Sequence, residues 1–167
     1  MDNNPVYSPL EYVFETTMQR EGKTLITYSG GIEFRAFFRI RNDNENQKDT
    51  ITLFYGIASP VQPGSLVKIR DEVYLALNKE TVENDVYYKS TMVKCNGVYN
   101  SNDGRISNIP FYSDNMKSSL AVGNNVITTL NGNIEFLTEE NEVSRQIRIN
   151  DMFNLSGVDW RGYAGII

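Results

Sequence analysis

The run Ile32 to Arg41, IEFRAFFRIR, admits one conformation. Ile32, Phe34, Ala36, Phe38 and Ile40 fall on one side and Glu33, Arg35, Phe37, Arg39 and Arg41 on the other, which is the two-residue period of a strand with one buried and one wetted face. Phe37 is the exception on the wet side, and a lone aromatic there is expected to be partly covered by a neighbouring loop. A strand so patterned needs partners. Pro63 to Asn96 supplies them as three apolar runs, LVKI, VYLAL and VYYKSTMVKC, separated by RDE and NKETVEND: strand, tight turn, strand, longer turn, strand.

Ile51 to Ile57, ITLFYGI, completes a long hairpin with the alternating run. Between the two, Arg41, Asn42, Asp43, Asn44, Glu45, Asn46, Gln47, Lys48, Asp49 and Thr50 carry no apolar side chain, so this loop cannot bury anything and is expected to stand out as an exposed arm. Ala58 to Ser65 is a Pro/Gly-rich connector whose prolines cannot donate to a central ladder.

Tyr7 to Gly22 holds the strong helix signal. Ser8 can cap it, Pro9 suits its first position and Glu11 completes a capping box, with Tyr7 and Tyr12 placed for a hydrophobic staple and Gly22 for a left-handed stop. Leu10, Val13, Phe14, Thr17 and Met18 form its apolar stripe. That stripe covers an open face of the sheet or docks on a neighbouring subunit, the first being the commoner arrangement. Beyond Asn96, Gly97 to Arg105 is turn chemistry centred on Asp103-Gly104, followed by an edge strand near Ile106 to Tyr112. VITTL, NIEFLT and RQIRI are predicted as short strands, and a last hairpin runs from Met152 to Trp160. The expectation is a mainly β fold, a small antiparallel β-barrel or sandwich, with one N-terminal α-helix and a long polar hairpin loop. Phe34, Phe38, Phe153 and Trp160 are its expected core anchors. Residues 1–23 make the helical segment and 24–167 one barrel domain, and a pattern-level echo leaves two similar halves, 24–99 and 104–167, as the alternative division.

Composition narrows the function. There is no histidine, which removes the usual general base near neutral pH and the commonest metal ligand, and the lone Cys95 is expected to be a small buried hydrophobe. The acid pairs Asp71-Glu72 and Glu139-Glu140 lie in turns, where adjacent carboxylates are solvated surface rather than a glycosidase pair. No catalytic residue, metal or cofactor is expected, and the chain is read as no enzyme. A net charge of -5 counts against a tight grip on phosphates. Ten tyrosines nevertheless keep a single-stranded nucleic-acid-binding barrel as an alternative. The polar start MDNNPVYSPL lacks signal-peptide features and no apolar run spans a membrane, so a soluble protein with no membrane partner is expected.

Gly64-Ser65-Leu66-Val67, the aromatic strand ending in Leu77-Asn78 and the strand running into Cys95-Asn96, preceded by FRAFFRIRNDNENQKDTITLFY, resemble the small neck proteins of tailed bacteriophages and prophages of Gram-positive bacteria, the head-closure or head-tail connector group. The C-terminal INDMFNLSGVDWRGYAGI is similar to the ending of such proteins at Asn150, Asp151, Phe153, Gly157, Trp160, Gly165 and Ile166, and departs from it at Gly162 and Tyr163. The N-terminal helix is not part of that pattern. The resemblance implies a virion protein made in the bacterial host cytoplasm and placed at the head-tail junction. It implies copies of itself in a ring, a hexamer or dodecamer, between portal and adaptor on one side and tail proteins on the other. Packaged DNA would pass through the lumen without sequence-specific binding, and residues 41–48 would be the loop that contacts neighbours. A tail-completion, tail-terminator or baseplate barrel of the same particle is the alternative within this class.

Overall fold

A computed structural model describes residues 8–40, 50–82, 85–113, 136–148, 151–155 and 158–161, the last two stretches mainly by their backbone. The chain separates into two compact units, Met1–Val93 and Lys94–Ile167.

In the first unit, α1 (Pro9–Glu21) precedes β1 (Lys23–Thr27), β2 (Glu33–Ile40), β3 (Thr50–Gly56), β4 (Leu66–Ile69), β5 (Glu72–Ala76), the two-residue β6 (Glu80–Thr81) and β7 (Tyr87–Lys94). The strands run in the order β3-β2-β1-β4-β5-β7, and β3 pairs again with β7, so the sheet closes into a six-stranded antiparallel barrel with β6 added beside β7. Of the two β architectures the sequence allowed, closure selects the barrel, which leaves no long free edge among these six strands.

The alternation dictates what fills it. Phe38 lies opposite Leu53 and Ala36 opposite Tyr55, while on the other side of β3 Leu53 meets Ser90 and Tyr55 meets Tyr88. Phe34, Ala36, Ile51, Leu53, Tyr55, Val61, Val67, Ile69 and Met92 make one continuous core. At its centre the Tyr55 and Ser90 hydroxyls lie 2.6 Å apart, so two buried polar groups satisfy each other, and burial pushes Tyr55 above the ordinary tyrosine range.

Where β5 turns away from β7, a side chain carries the ladder on. The Leu77 amide donates to the Thr91 carbonyl at 2.8 Å, and the Thr91 amide donates to Oδ1 of Asn78 at 2.6 Å. In the second unit Asn96 does the same for Ser113, accepting its amide at 2.9 Å and donating to its carbonyl at 2.7 Å. These are the asparagines of Leu77-Asn78 and Cys95-Asn96; within this fold both act as strand clamps.

The capping box of α1 forms as expected, with Ser8 accepting from the Glu11 amide at 3.2 Å. Its C-terminus does not use the expected left-handed stop. Gly22 has φ -63, and glycine is needed there because a Cβ would strike the Met18 carbonyl, which also accepts from Arg35 on β2 at 3.0 Å. The apolar stripe is narrower than predicted: Phe14 and Met18 are buried, Leu10 and Thr17 half-buried, and Val13 exposed, as is Tyr12 of the expected staple, whose Tyr7 lies outside the described residues. The stripe narrows because the helix sits on an aromatic patch. Phe37 is buried under Phe14 and Met18 together with Phe54, Val86 and Tyr87, so the supposed wet-face exception is covered by the helix rather than by a loop.

The second unit contains β8 (Gly97–Tyr99), β9 (Ile109–Phe111), a 3-10 turn (Ser144–Gln146), β10 (Met152–Leu155) and β11 (Val158–Arg161), with β8 paired to β9 and β10 to β11. Its core is Tyr99, Ile106, Ile109 and Phe111 against Phe136 and Ile147. β8 begins inside the stretch read as turn. RQIRI is not a strand: Oδ1 of Asn141 accepts the Val143 and Ser144 amides, both at 2.9 Å, and that local capture winds Ser144–Gln146 into the turn. NIEFLT contributes a single bridge, Leu137 to Tyr112, within its described part, and VITTL lies outside the described residues.

The loop between β8 and β9 is tied by charge. The Ser101 hydroxyl donates to Asp103 at 2.6 Å, and Arg105 pairs with Asp103 and, at 2.8 Å, with Asp151. The Ser101 hydroxyl first, then Arg105, holds the Asp103 carboxyl well below the usual carboxylate range. Since the folded value lies below the unfolded one, the contribution is complete above about pH 4 and is lost as pH falls through the folded value. Asp103→Asn should therefore lower the melting temperature at neutral pH, with the gap from wild type closing as the pH is taken from about 5 to about 2. A gap that stays constant over that range would refute the assignment.

Candidate functional site

Strand direction sorts the connections of the barrel to two ends. One end holds the α1–β1 junction at Gly22, the last residue of β2 and the first of β3, and the Arg70-Asp71 turn between β4 and β5. The other holds the 28–32 turn, the connector 57–65 and the stretch 77–82 that follows β5.

Arg41, Asn42, Asp43, Asn44, Glu45, Asn46, Gln47 and Lys48, the expected partner-contact loop, lie outside the described residues. The β2–β3 ladder before them runs to the last residue of β2, where Ile40 pairs with Ile51. Of the expected core anchors, Phe34 is buried in the barrel, while Phe38 is only partly buried near the end of β2. Phe153 and Trp160 stand opposite each other in the β10–β11 register, and their side chains lie outside the described residues.

What the sequence did not reveal is the setting of Phe38. Lys23 Nζ lies 5.6 Å and Arg70 Cζ 5.9 Å from the centre of its ring, so two exposed cations from β1 and the β4–β5 turn meet over one aromatic. Arg70 reaches it from a left-handed backbone, φ 60, in the tight RDE turn. Forty-seven positions separate the two cations in sequence, and no motif links them; the barrel register alone brings them together. Acids stand beside them: Asp71 and Glu72 in the same turn are exposed, and Glu21 pairs with Arg39.

Candidate chemistry elsewhere is structural. Asp71 and Glu72 are exposed, and Glu72 accepts from the Tyr74 hydroxyl at 3.1 Å. Glu140 is exposed and pairs with Arg145 at 2.9 Å, while Glu139 is half-buried beside Asn141. Cys95 is half-buried and burial pushes its thiol up to about 12, which keeps it protonated at neutral pH and a poor nucleophile. Among the described residues no group of three Cys, Asp or Glu side chains could hold a metal ion, and no helix is long and apolar enough to cross a membrane.

Comparison with protein-family models, with curated proteins and with solved structures finds no match for this chain.

Proposed function

We propose that the chain is a structural subunit of a tailed-phage or prophage particle: a head-closure ring protein under the portal and adaptor that retains packaged DNA and docks the tail. A tail-completion, tail-terminator or baseplate barrel of the same particle is the alternative position. The observation that carries this reading is the filled barrel. Ala36, Leu53, Tyr55, Val61, Val67 and Met92 have no exposed surface, so the interior is a close-packed solid rather than a container for a ligand. Such a body acts through its outside. The single-stranded nucleic-acid alternative gains little from the barrel, because most of its rings point inward or lie under α1; Tyr12 and Tyr28 are the exposed large aromatics among the described residues, and Phe38 and Tyr88 are partly buried beneath cations.

The test is genetic and microscopic. Disrupting the gene in the phage or prophage that carries it should leave heads and free tails unjoined in lysates, and antibody-gold should mark the neck of wild-type particles. Joined, infectious particles without the protein would overturn the reading, and label at the tail tip would select the baseplate alternative.

A further inference from the structure

Two apolar patches on the first unit face outward. The first is the outer side of α1, where Pro9, Tyr12, Val13 and Thr16 recur at helical spacing, with Tyr12 62% and Val13 58% exposed. The Thr16 hydroxyl turns back onto the Tyr12 and Val13 carbonyls, at 2.6 and 3.1 Å, so its polar group is satisfied inside the helix. The second lies on the wall formed by β1 and β4, where Ile26 is 39% and Tyr28 42% exposed.

Each patch has an acid and a base beside it, and the β1–β4 wall also carries the exposed Arg35, opposite Thr24. Ile26 pairs with Glu33 across β2 and with Lys68 across β4, and both are exposed. On α1 the exposed Glu15 and Arg20 border the Tyr12–Val13 stripe. Glu33 and Lys68 stand two strand spacings apart, about 10 Å. Glu15 and Arg20 are separated by about 7.5 Å of helical rise plus a sideways offset, which matches that span within the reach of long side chains. Arg20 is paired with Glu21 while itself 74% exposed, an ion pair of the kind that is easily exchanged.

We infer that the outer face of α1 in one copy lies on the β1–β4 wall of the next, with Glu15 set against Lys68 and Arg20 against Glu33. α1 lies on β2, β3 and β7 through Phe37, Phe54 and Tyr87, and Ile26 and Tyr28 stay exposed beside it. Such a contact is heterologous: each copy offers both halves, and the contact repeats until a ring closes. The inference rests on the ring reading proposed above and names the surfaces that build it.

Charge reversal tests it in the full chain. Lys68→Glu and Glu15→Lys should each weaken self-association roughly 100-fold in sedimentation over a concentration series, with unchanged circular dichroism, because each sets like charges face to face. The double variant E15K/K68E should restore assembly. A photo-crosslinking amino acid at position 12 should also join light to heavy copies, with the adduct in 23–28 or 66–70, both in solution and in particles. Rings that form equally well in the single variants, a double variant no better than either single one, or adducts on another surface would overturn this contact while leaving the ring. A chain that stays monomeric and yields no self-adduct in particles overturns both.

Discussion

Leu53→Ala should cost the first unit about 2–5 kcal/mol, read as a fall in the denaturant midpoint with an unchanged slope. Leu53 is fully buried between Phe38 on β2 and Ser90 on β7, and every strand around it is hydrogen-bonded on both sides. A closed ladder resists collapse into the space left by the missing methyls, which places the cost toward the upper part of that range. The neighbouring polar pair gives a second measure of the same rigidity. Tyr55→Phe removes one oxygen, leaves the Ser90 hydroxyl buried without its partner, and should cost about 1–3 kcal/mol; Ser90→Ala added to it should recover part of that loss. A loss below about 1 kcal/mol for Leu53→Ala would mean that the interior yields, and the filled-barrel basis of the proposed function would go with it.

The features legible in the sequence were those written in local periodicity. β2, β3, β4, β5 and β7 fall where two-residue alternation and turn residues placed them, and the Ser8, Pro9 and Glu11 signals start α1 where the helix begins. The missed features depend on contacts between distant segments. Phe37 breaks the alternation because a helix fifteen or more residues earlier lies across it, and no strand rule contains that helix. Gly22 looked like a left-handed stop, but its constraint is a close approach to Met18. RQIRI has strand composition, yet Asn141 upstream captures two amides and makes a turn. The cation pair over Phe38 joins residues 23 and 70, and only register aligns them. Asn78 and Asn96 were singled out by resemblance alone, and their physical role, a side-chain amide standing in for a backbone group, became visible with their partners Thr91 and Ser113.

Phe14→Ala should undock α1, at a cost of about 3–5 kcal/mol. Its ring stacks on Tyr87 with centroids 4.6 Å apart and lies 6.0 Å from Phe37, which in turn stacks on Phe54 at 4.9 Å. The helix has no other large apolar anchor than Met18 among its buried residues, so losing Phe14 removes most of what repays the ordering of thirteen residues. The exposed Phe37, Phe54 and Tyr87 should then bind a hydrophobic dye that wild-type protein ignores. Phe37→Ala should have a similar cost, and the double variant should cost less than the sum, the shortfall of about 0.5–1.5 kcal/mol being the coupling of the two rings. Additive losses would separate the rings energetically. The consequence for assembly follows from the same geometry: with α1 released, Tyr12 and Glu15 no longer stand in fixed register with the barrel, so Phe14→Ala should abolish ring formation without touching any interface residue. Phe14→Leu, which keeps a large apolar anchor, should retain it; loss of assembly in that variant, with the helix still docked, would show that association does not require the helix to be held in place.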